Sequence, residues 1–358
     1  MSEKELQIKT YTGAVCVIIP AFNEEIHIKN TLMGIPKFVR RIIVVNDGST
    51  DLTEQIIQEC IKRDSRISLV THNQNMGLGN SLISGYLESL SLGVDVIAVM
   101  AGDNQMDPND LWAVVSPVVN GKVDYVKGNR LLRGDVRKIM PGYRYFGNSL
   151  LTFLTKFATG YWHVIDPQCG YTAISSEALR RIPISELTPG YGYNAQILNM
   201  LNIAEMRVCD VEVRPVYGPN TSKIQLWKYI PVIMGLLTKL FTKRILQKYL
   251  WRDFHPLVLF YFLSLFNGVL VALPLGIRVF YYYFLLGVAP TTTLILTSLA
   301  INISILSLFF AIWMDMEGNK HLCLTVSWKS VKQLWMILVV LQETVSMVLP
   351  IGMVSPLM

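Results

Sequence analysis

The sequence predicts an α/β fold with a mostly parallel sheet, followed by amphipathic helices at a membrane interface and a transmembrane helical hairpin. Three observations predict it. Between Val15 and about Tyr217, short apolar runs alternate with helical patterns, which is typical of a parallel sheet with helices on both faces. From Ser222 the sequence becomes basic and amphipathic. Two long apolar stretches follow, each close to the roughly 20 residues that span a bilayer.

The predicted sheet begins with four apolar runs, and a helical pattern lies between each run and the next. The runs are VCVIIP, RIIVVND, ISLVTH and VDVIAVMAGD, and the helices are predicted near residues 25–34, 51–63 and 79–92. Folds of this class bind ligands where the strands end. Polar residues that follow each run are therefore the first candidates for a functional site.

The composition indicates that part of the chain lies in lipid. The chain has 358 residues, 51% of them hydrophobic, and a mean hydropathy of +0.38, which is too apolar for a purely soluble protein. The net charge of +6 is also found in nucleic-acid-binding proteins. Here, however, no zinc-finger spacing occurs and the excess positive charge precedes the apolar C-terminal third, so an anionic membrane surface is favoured.

The cysteines and the N-terminus predict that the first domain faces the cytoplasm. The five cysteines are odd in number, widely spaced and without a CxxC pair, so neither a disulfide framework nor a structural zinc site is indicated. The N-terminal sequence MSEKELQIKTYTGA is polar and lacks the apolar core of a signal peptide. We expect an integral membrane protein with a cytoplasmic N-terminal domain.

The stretch LWKYIPVIMGLLTKLFTKRILQKYLWR has an amphipathic helical pattern. It places Ile233, Leu237 and Leu240 on one face and Lys239 and Lys243 on another, which predicts a helix at the membrane surface. An ordinary amphipathic helix that packs on the preceding domain has the same pattern, and the residues alone leave both open.

Residues 257–276 and 291–313 are predicted to form the transmembrane hairpin. A basic cluster precedes the first span, whereas the loop between the spans carries only Arg278, so the positive-inside rule predicts a cytoplasmic N-terminal domain. The basic cluster consists of Lys239, Lys243, Arg244, Lys248 and Arg252. The third apolar stretch, 334–354, contains Gln342 and Glu343 and is compatible with either a third span or an interfacial segment.

These patterns divide the chain into five segments. They are an N-terminal tail (1–14), the α/β domain (15–221), the interface helices (222–254), the transmembrane hairpin (255–316) and a C-terminal segment (317–358).

Polar side chains follow the first two predicted strands. Asn23 and Glu24 come just after the first strand and Asp47 comes after the second, where they can accept hydrogen bonds from a ribose or a base. Taken singly, each residue has a simpler explanation that is favoured over a nucleoside contact: Glu24 as a first-turn helix acid and Asp47 as part of a plain turn. Their occurrence at consecutive strand ends favours a nucleoside site.

Asp103 and Gln105 follow the fourth strand and offer hard oxygen ligands to Mg²⁺ or Mn²⁺. Such a cation would bridge a diphosphate and stabilise the leaving nucleotide. Asp107 precedes Pro108 and is predicted to cap the next helix instead of binding metal.

The motifs PAFNEE, VVNDGSTD, NMGLGNSLISGY, MAGDNQMDP and GNR, in this order, resemble family 2 glycosyltransferases of the Rossmann-like GT-A fold over roughly residues 15–225. The similarity is greatest to dolichyl-phosphate mannose synthases and other polyprenyl-phosphate glycosyltransferases. The resemblance implies a nucleotide-sugar donor, a divalent metal and inversion at the anomeric carbon. It assigns nucleoside or nucleotide contacts to Pro20, Asn23, Glu24, Asp47, Gly79 and Asp103, and metal ligation to Asp103 and Gln105.

Two departures from the family pattern stand out. Ala101 occupies the first position of the usual Asp-x-Asp motif, so one expected carboxylate is missing. Tyr217 stands where the mannose synthases usually have an arginine, which leaves the sugar and the nucleotide base open. In this loop we predict that Lys223 contacts the donor diphosphate and that Arg214 supplies the displaced charge.

Arg130 and Arg144 are suited to bind an acceptor phosphate, because guanidinium groups bind phosphate in a bidentate manner. Both match the family's acceptor-phosphate arginines, and Asn148 is a neighbouring candidate. Surface or helix-capping arginines have the same appearance in a sequence. Asp166 and Gln168, in DPQCGYTAIS, are compatible either with a sugar or acceptor pocket or with a simple Asp-Pro turn.

The predicted reaction transfers one sugar from a GDP- or UDP-hexose to polyprenyl or dolichyl phosphate, with Asp103, Arg130, Arg144 and Lys223 as the catalytic group. An ionised phosphate acceptor needs positioning and charge neutralisation more than a general base. The QxxRW motif of processive polysaccharide synthases is missing from the sequence. A degenerate glycosyltransferase that acts as a membrane scaffold is the alternative that Ala101 and Tyr217 leave open. The family also suggests a homo-oligomer.

Overall fold

The structure is a computed structural model of the chain that describes residues 13–131, 142–190, 192–214 and 226–324; at 142–146, 148 and 226–230 it describes the backbone alone. The predictions for Tyr217, Lys223 and the apolar stretch 334–354 lie outside the described residues. So do most of the N-terminal tail and the side chains of Arg144 and Asn148.

The described residues form one seven-stranded sheet, in the order β3-β2-β1-β4-β6-β5-β7. The strands are β1 (Val15–Ala21), β2 (Arg41–Asn46), β3 (Ile67–Thr71), β4 (Val96–Val99), β5 (Tyr125–Asn129), β6 (Thr172–Ser175) and β7 (Val208–Glu212). All neighbouring pairs are parallel except those of β6, which runs antiparallel between β4 and β5. The predicted mostly parallel sheet is confirmed.

Helices connect these strands and then continue beyond the sheet. The α-helices of the described part of the chain are α1 (Ile28–Gly34), α2 (Thr53–Arg63), α3 (Leu78–Ser91), α4 (Leu111–Val119), α5 (Gly142–Thr159), α6 (Ser176–Arg181), α7 (Tyr193–Ile203), α8 (Leu226–Arg244), α9 (Leu257–Leu265), α10 (Leu273–Leu286) and α11 (Thr291–Gly318). A π-helical segment, Ile245–Arg252, continues α8. The first helix begins later than predicted because Glu24 and the residues after it form a turn, in which the Ile28 amide donates to the Glu24 carbonyl.

The sheet separates two apolar layers, as its β-branched strands require. Val17 and Ile19 of β1 face the layer that α1, α2 and α4 cover, whereas Cys16 and Ile18 face the layer of α3 and α7. Side chains alternate between the two faces of a strand, so a strand that is covered on both faces is apolar throughout.

The apolar face of α8 is covered by protein. Ile233, Leu237 and Leu240 are buried in one cluster with Ala158 of α5 and Ala195 of α7. Of the two arrangements that the sequence left open, packing on the preceding domain is the one found for this face. An amphipathic pattern does not show whether protein or lipid covers its apolar face, and here protein covers it. The position of this helix at a membrane interface stays a prediction.

The first apolar helix of the hairpin is longer than predicted. It runs without interruption over Leu257–Leu286, since a π-helical segment, Phe266–Ala272, joins α9 to α10. A proline usually ends or kinks a helix. Here Pro274 is the second residue of α10, where a helix tolerates proline. Arg278 therefore lies inside the helix, and its prediction as a loop residue was wrong.

The connection between the two apolar helices is short. Gly287 ends α10 in a left-handed conformation, with a φ of +70°, and Pro290 precedes α11. In the described residues, 257–286 and 291–318 are the two helices long and apolar enough to cross a membrane. Most of their large apolar side chains are exposed.

The basic cluster before the hairpin is largely paired within the protein. Arg244 and Lys248 are buried, with 0% and 5% of their surface exposed. Lys243 donates to Glu186 at 2.7 Å, and Arg252 pairs with Glu205. The positive-inside rule counts charges that are free to face the membrane surface. Because protein groups satisfy most of the charges in this cluster, the cluster is not evidence for a cytoplasmic domain.

Candidate active site

The loops that follow β1 and β2 are bound to each other at the carboxyl edge of the sheet. Asn23, which has a left-handed φ of +55°, donates its amide to Ser49 Oγ at 3.0 Å and accepts from the Thr50 amide at 2.9 Å. The Glu24 amide donates to Thr53 Oγ1 at 2.8 Å. Asn23 thus contacts the neighbouring loop and fixes the position of Glu24.

Glu24 and Asp103 lie close together at this edge. Burial, together with the negative charges of Asp103 and Asp51, raises the pKa of the Glu24 carboxyl to about 7. Carboxylates that share a partly buried site without a compensating cation repel each other. The structure therefore brings together two of the predicted donor-site residues, which lie on different loops.

Asp103 sits in a tight turn after β4. Its Oδ1 accepts from the Gln105 amide at 3.1 Å, and Asn104 between them has a φ of +59°. Gly102 lies against β1, where an added Cβ would come within 3.2 Å of the Pro20 carbonyl oxygen. Because Pro20 belongs to β1, its contact with this turn fixes Asp103 next to the first strand.

Asp47 holds the loop that precedes α3. Its carboxylate is buried and accepts from the Met76 and Gly77 amides at 2.9 and 2.8 Å. His72 Nδ1 lies 2.7 Å from the same carboxylate. The described contacts of Asp47 are thus with the protein's own backbone and His72, which favours a positioning role for the loop over a direct nucleoside contact.

Gly79 is a point of close approach between two parts of the domain. Its amide donates to the Pro189 carbonyl at 2.9 Å, and an added Cβ would lie 1.9 Å from the Thr188 carbonyl oxygen. No side chain fits there without moving backbone. The described contacts explain this glycine by packing, and its predicted nucleotide contact stays a prediction.

Asp107 caps a helix, as predicted. Its side chain accepts from the Asn109 amide at 2.9 Å, and Pro108 occupies the first position of a 3₁₀ turn that leads into α4. Arg214 approaches this turn, with Nη1 3.9 Å from Asp107 and Nε 3.9 Å from Asp110. The Arg214 side chain is 61% exposed, so it can also reach a ligand at the surface.

Arg130 is held in place by Asp166. Its Nε and Nη2 donate to the two carboxylate oxygens at 2.8 and 3.1 Å, and its amide donates to the same group at 3.2 Å. Asp166 is buried, whereas 42% of the Arg130 side chain is exposed. The turn alternative for Asp166 is also present, since the Cys169 amide donates to its carbonyl. Asp166 thus fixes the orientation of the guanidinium, while part of the Arg130 side chain stays exposed.

Two buried charged residues near Arg130 were missed by the sequence analysis. Lys127 of β5 is fully buried, donates to Asn194 Oδ1, and has its pKa lowered to about 8 by burial. Asp210 of β7 accepts from Asn129 and the Ile165 amide, and burial raises its pKa to about 7. A lysine inside the buried run YVKGN is the signal that could have revealed the first of them.

Comparison with known proteins decides the family. The profile described as "Glycosyl transferase family 2" matches residues 16–183. An uncharacterised protein of Methanocaldococcus jannaschii is 30% identical over 235 residues, which cover 65% of this chain and 92% of that protein. The chain belongs to glycosyltransferase family 2.

Named relatives of this glycosyltransferase act on lipid phosphates. A UDP-N-acetylglucosamine–dolichyl-phosphate N-acetylglucosaminyltransferase of Methanococcus voltae is 29% identical over 216 residues, covering 57% of this chain and 86% of that protein. A polyprenol monophosphomannose synthase of Mycolicibacterium smegmatis is 28% identical over 196 residues, covering 52% and 70%. The resemblance inferred from the motifs is confirmed.

A solved structure shares the fold. Glucosyl-3-phosphoglycerate synthase from Mycobacterium tuberculosis, in complex with Mn²⁺, UDP and glucosyl-3-phosphoglycerate, has a TM-score of 0.51 and 20% identity, covering 68% of this chain and 84% of that one. The likeness confirms the predicted GT-A fold.

The site of this glycosyltransferase therefore has two parts. Glu24 and Asp103 provide carboxylates at one end of the β1–β4 edge, and Arg130 provides an oriented positive charge beyond β6. Oxygen ligands suit a hard cation and a guanidinium suits a phosphate, so the arrangement can hold two negatively charged groups apart from each other.

Proposed function

We propose that this glycosyltransferase moves one hexose or N-acetylhexosamine from a nucleoside diphosphate to a polyprenyl or dolichyl phosphate, with inversion, at the cytoplasmic surface of a membrane. The observation that carries the proposal is the half-exposed Arg130 guanidinium, fixed by buried Asp166, on a catalytic domain that continues into two long apolar helices. An oriented guanidinium suits a phosphate acceptor, and the apolar helices suit a lipid-bound one.

The transfer needs one bond to form and one to break. An oxygen of the lipid phosphate attacks the anomeric carbon, and the bond from that carbon to the nucleoside diphosphate breaks, with the electron pair leaving on the diphosphate. The acceptor is already ionised, so no general base is required. Arg130 orients the acceptor and Asp166 keeps Arg130 in place, which makes positioning the main contribution of these residues.

The edge of the sheet that carries Glu24 and Asp103, called the donor edge below, fits a divalent cation. Within the described residues no group of three or more His, Cys, Asp or Glu side chains is placed to hold a metal, so protein carboxylates alone would not complete the coordination. Glu24 and Asp103 nevertheless bring negative charge to one place, and Mg²⁺ commonly takes only one or two protein carboxylates together with waters and substrate phosphates. When bound, Mg²⁺ or Mn²⁺ would neutralise charge on the leaving diphosphate.

Relatives and neighbouring structures support the substrate classes. The relatives include dolichyl-phosphate and polyprenol-phosphate transferases, and the shared fold includes a UDP and Mn²⁺ complex. The described cysteines are all free, which supports a reducing compartment for the catalytic domain. Predicted donor contacts by Lys223 and Arg214, and predicted acceptor contacts by Arg144 and Asn148, belong to the same proposal.

The test is transfer of radiolabelled sugar from a panel of UDP- and GDP-sugars to polyprenyl phosphate in membranes that contain the full chain. We expect labelled lipid with one donor, dependence on Mg²⁺ or Mn²⁺, and loss of labelling in EDTA. Membranes with the Arg130→Met variant serve as the control for acceptor binding. Labelling of a water-soluble acceptor but of no lipid phosphate would contradict the proposal.

A further inference from the structure

Four helix ends meet at a buried polar cluster between the catalytic domain and the apolar hairpin. The C-terminal ends of α5, α7 and α8 converge there with the last turn of α11. We call this cluster the junction; its side chains are Trp162, Asn202, Arg244, Lys248, Tyr249, Asp315 and Asn319. The residues that the donor and acceptor sites use are not among them.

The centre of the junction is an ion pair with no exposed surface. Arg244 Nη1 and Nη2 donate to the two oxygens of Asp315 at 2.6 and 3.0 Å, and both side chains are 0% exposed. The remaining donors of Arg244 reach the carbonyls of Phe157 and Ala158, at 3.0 and 3.1 Å. A single side chain of α8 therefore caps the C-terminus of α5 and binds the hairpin helix α11.

Lys248 connects a second catalytic-domain helix to the same place. Its ammonium donates to Asn202 at the end of α7, and to Asn319 just after α11, at 3.1 and 2.8 Å. Tyr249 donates to Asp315 at 2.8 Å and accepts from Asn319 at 2.8 Å. Every charged group of the junction thus has partners on both the catalytic domain and the hairpin side.

The buried Arg244–Asp315 pair is not an efficient way to stabilise the fold. Burying a charged pair loses hydration, and apolar side chains of similar volume often serve stability equally well or better. An ion pair with four or more directed hydrogen bonds instead holds the two sides in a single geometry, because a guanidinium donates its hydrogen bonds in one plane. Gly160 fits this reading, since a Cβ there would meet Arg244 Nη1 at 2.6 Å.

The junction is connected to the acceptor site along α5. This helix spans Gly142–Thr159, with predicted phosphate ligand Arg144 near its start and the Arg244 cap at its end. Thirteen residues of helix separate Arg144 from Phe157, about 20 Å. A rotation of about 5° at the junction would shift the acceptor end by about 2 Å relative to the hairpin.

A second connection runs through Trp162. Its indole donates to Asp315 at 3.2 Å. Four residues later, Asp166 holds Arg130. Arg144, through α5 and Arg244, and Arg130, through Asp166 and the segment from Trp162, are therefore both linked to Asp315 of the hairpin.

We propose that Arg244 and Asp315 are positioning residues that fix the catalytic domain at one depth relative to the hairpin, so that a lipid-bound phosphate meets Arg130. The inference rests on the proposed function. A lipid phosphate is confined to one level of the membrane, and only an active site held at that level meets it without loss of binding. A water-soluble phosphate has no such constraint.

The test uses the full chain in lipid nanodiscs and the double variant Arg244→Leu/Asp315→Leu. This variant removes the ion pair without leaving one charge buried alone, so the domain has the best chance to fold. Lys243→Met is the matched control, because it removes one positive charge from the same helix but only an exposed pair. Gly160→Ala is a second variant, which keeps every charge but displaces Arg244 and also strains the backbone, because Gly160 has a φ of +77°.

Kinetics provide the first measurement. With a 55-carbon polyprenyl phosphate in the bilayer, we expect the KM of the double variant to rise at least tenfold, and that of Gly160→Ala to rise in the same direction. With soluble ten-carbon citronellyl phosphate, and for the nucleotide sugar, we expect KM within twofold of the parent. Equal increases for both acceptors, or no increase for either, would overturn the proposal.

The second measurement does not depend on activity. Nitroxides are placed at exposed Leu150 of α5 and exposed Leu296 of α11 through unnatural amino acids, and their separation is measured by pulsed electron paramagnetic resonance. We expect one narrow distance for the parent and Lys243→Met, and a distribution at least twice as wide for the double variant. An unchanged distribution would overturn the proposal even if transfer were found, and a lack of transfer with any donor would defeat the proposed function alone.

Discussion

The donor edge and the acceptor side of this glycosyltransferase are stabilised in different ways. At the donor edge, Asn23 and Asp47 bond mainly to backbone amides of neighbouring loops. On the acceptor side, Arg130 bonds to Asp166 and Arg244 bonds to Asp315, so charged side chains bond to each other. The bonds of Asn23 and Asp47 join loops 27 to 30 residues apart that each carry a recognisable motif, whereas those of Arg130 and Arg244 reach across 36 and 71 residues. The comparison teaches that motifs reveal the first kind of site more readily than the second.

The largest effect is expected at the donor edge. Asp103→Asn should lower kcat by about a thousandfold, since it removes a carboxylate from a site that already lacks one at Ala101. Transfer of labelled sugar at saturating Mn²⁺ measures it. Asp107→Asn is the matched control and should stay within about twofold, because asparagine caps a helix as well as aspartate. Equal losses in both variants would show that the loop, and not Asp103 itself, matters.

A change on the acceptor side should affect one substrate only. Asp166→Asn keeps an oxygen for Arg130 but loses the charge that orients it, so we expect the acceptor KM to rise about tenfold with the donor KM unchanged. Asp124→Asn is the control, because Asp124 makes a similar pair with Arg207. If the donor KM rose as well, the separation of the two parts of the site would be wrong.

Substitution of Asp47 should lower the stability of the folded domain. Asp47→Ala removes the acceptor of the Met76 amide, the carboxylate beside His72 and one of the two acceptors of the Gly77 amide, which keeps Asn75 Oδ1. We expect the free energy of unfolding to fall by about 3 kcal/mol. For a domain of this size that lowers Tm by about 6 to 12 °C, measurable by thermal unfolding in detergent. Asp47→Asn keeps one acceptor oxygen and should lose less. If the Tm of Asp47→Ala stayed within about 2 °C of the parent, water would have replaced the carboxylate as the hydrogen-bond acceptor.

Replacement of Asp210 should raise Tm, whereas replacement of Asp47 should lower it. Burial raises the pKa of Asp210 from 3.8 to about 7, and its Oδ1 has no hydrogen-bond partner among the residues that the structure describes. The folded protein therefore holds a proton that the unfolded chain releases near pH 4, so this stabilisation is full below pH 4 and is lost as the pH rises to 7. Asp210→Asn should raise Tm at pH 8 by about 2 to 4 °C.

The pH dependence of Tm tests that sign. Between pH 5 and 8 the parent should lose more stability than Asp210→Asn, whereas exposed Asp253→Asn should follow the parent. A variant that is less stable than the parent at pH 8 would indicate that the carboxylate of Asp210 is satisfied in a way that the described hydrogen bonds do not include.

The sheet and its donor edge could be predicted because their signals are local. Apolar runs and polar residues directly after them placed β1, β2 and β4 correctly, with Asn23, Glu24 and Asp103 beside their ends. The contacts of Asp47 with the Met76 and Gly77 amides could not be predicted, because a carboxylate that binds its own loop looks like any other in a sequence. Its nucleoside contact stays a prediction.

The acceptor side was less predictable because its partners are distant. Arg244 looked like a membrane-surface charge, and only the fold shows that its partner lies 71 residues away. The apolar face of α8 had no signal to separate protein from lipid. Arg278 was placed in a loop because residues 257–276 already supply the roughly 20 residues of one span, and the π-helical segment within a longer helix could not be foreseen.

The position of β6 has a consequence for how the chain is made. Because β6 lies between β4 and β5, the outer edge of β4 has no partner until Thr172–Ser175 leaves the ribosome, about 75 residues after β4. At usual rates of synthesis that interval is roughly 4 to 15 s. An apolar edge strand open for that time is a site of aggregation. Nascent chains that stall between β4 and β6 should therefore be the ones that most need a chaperone.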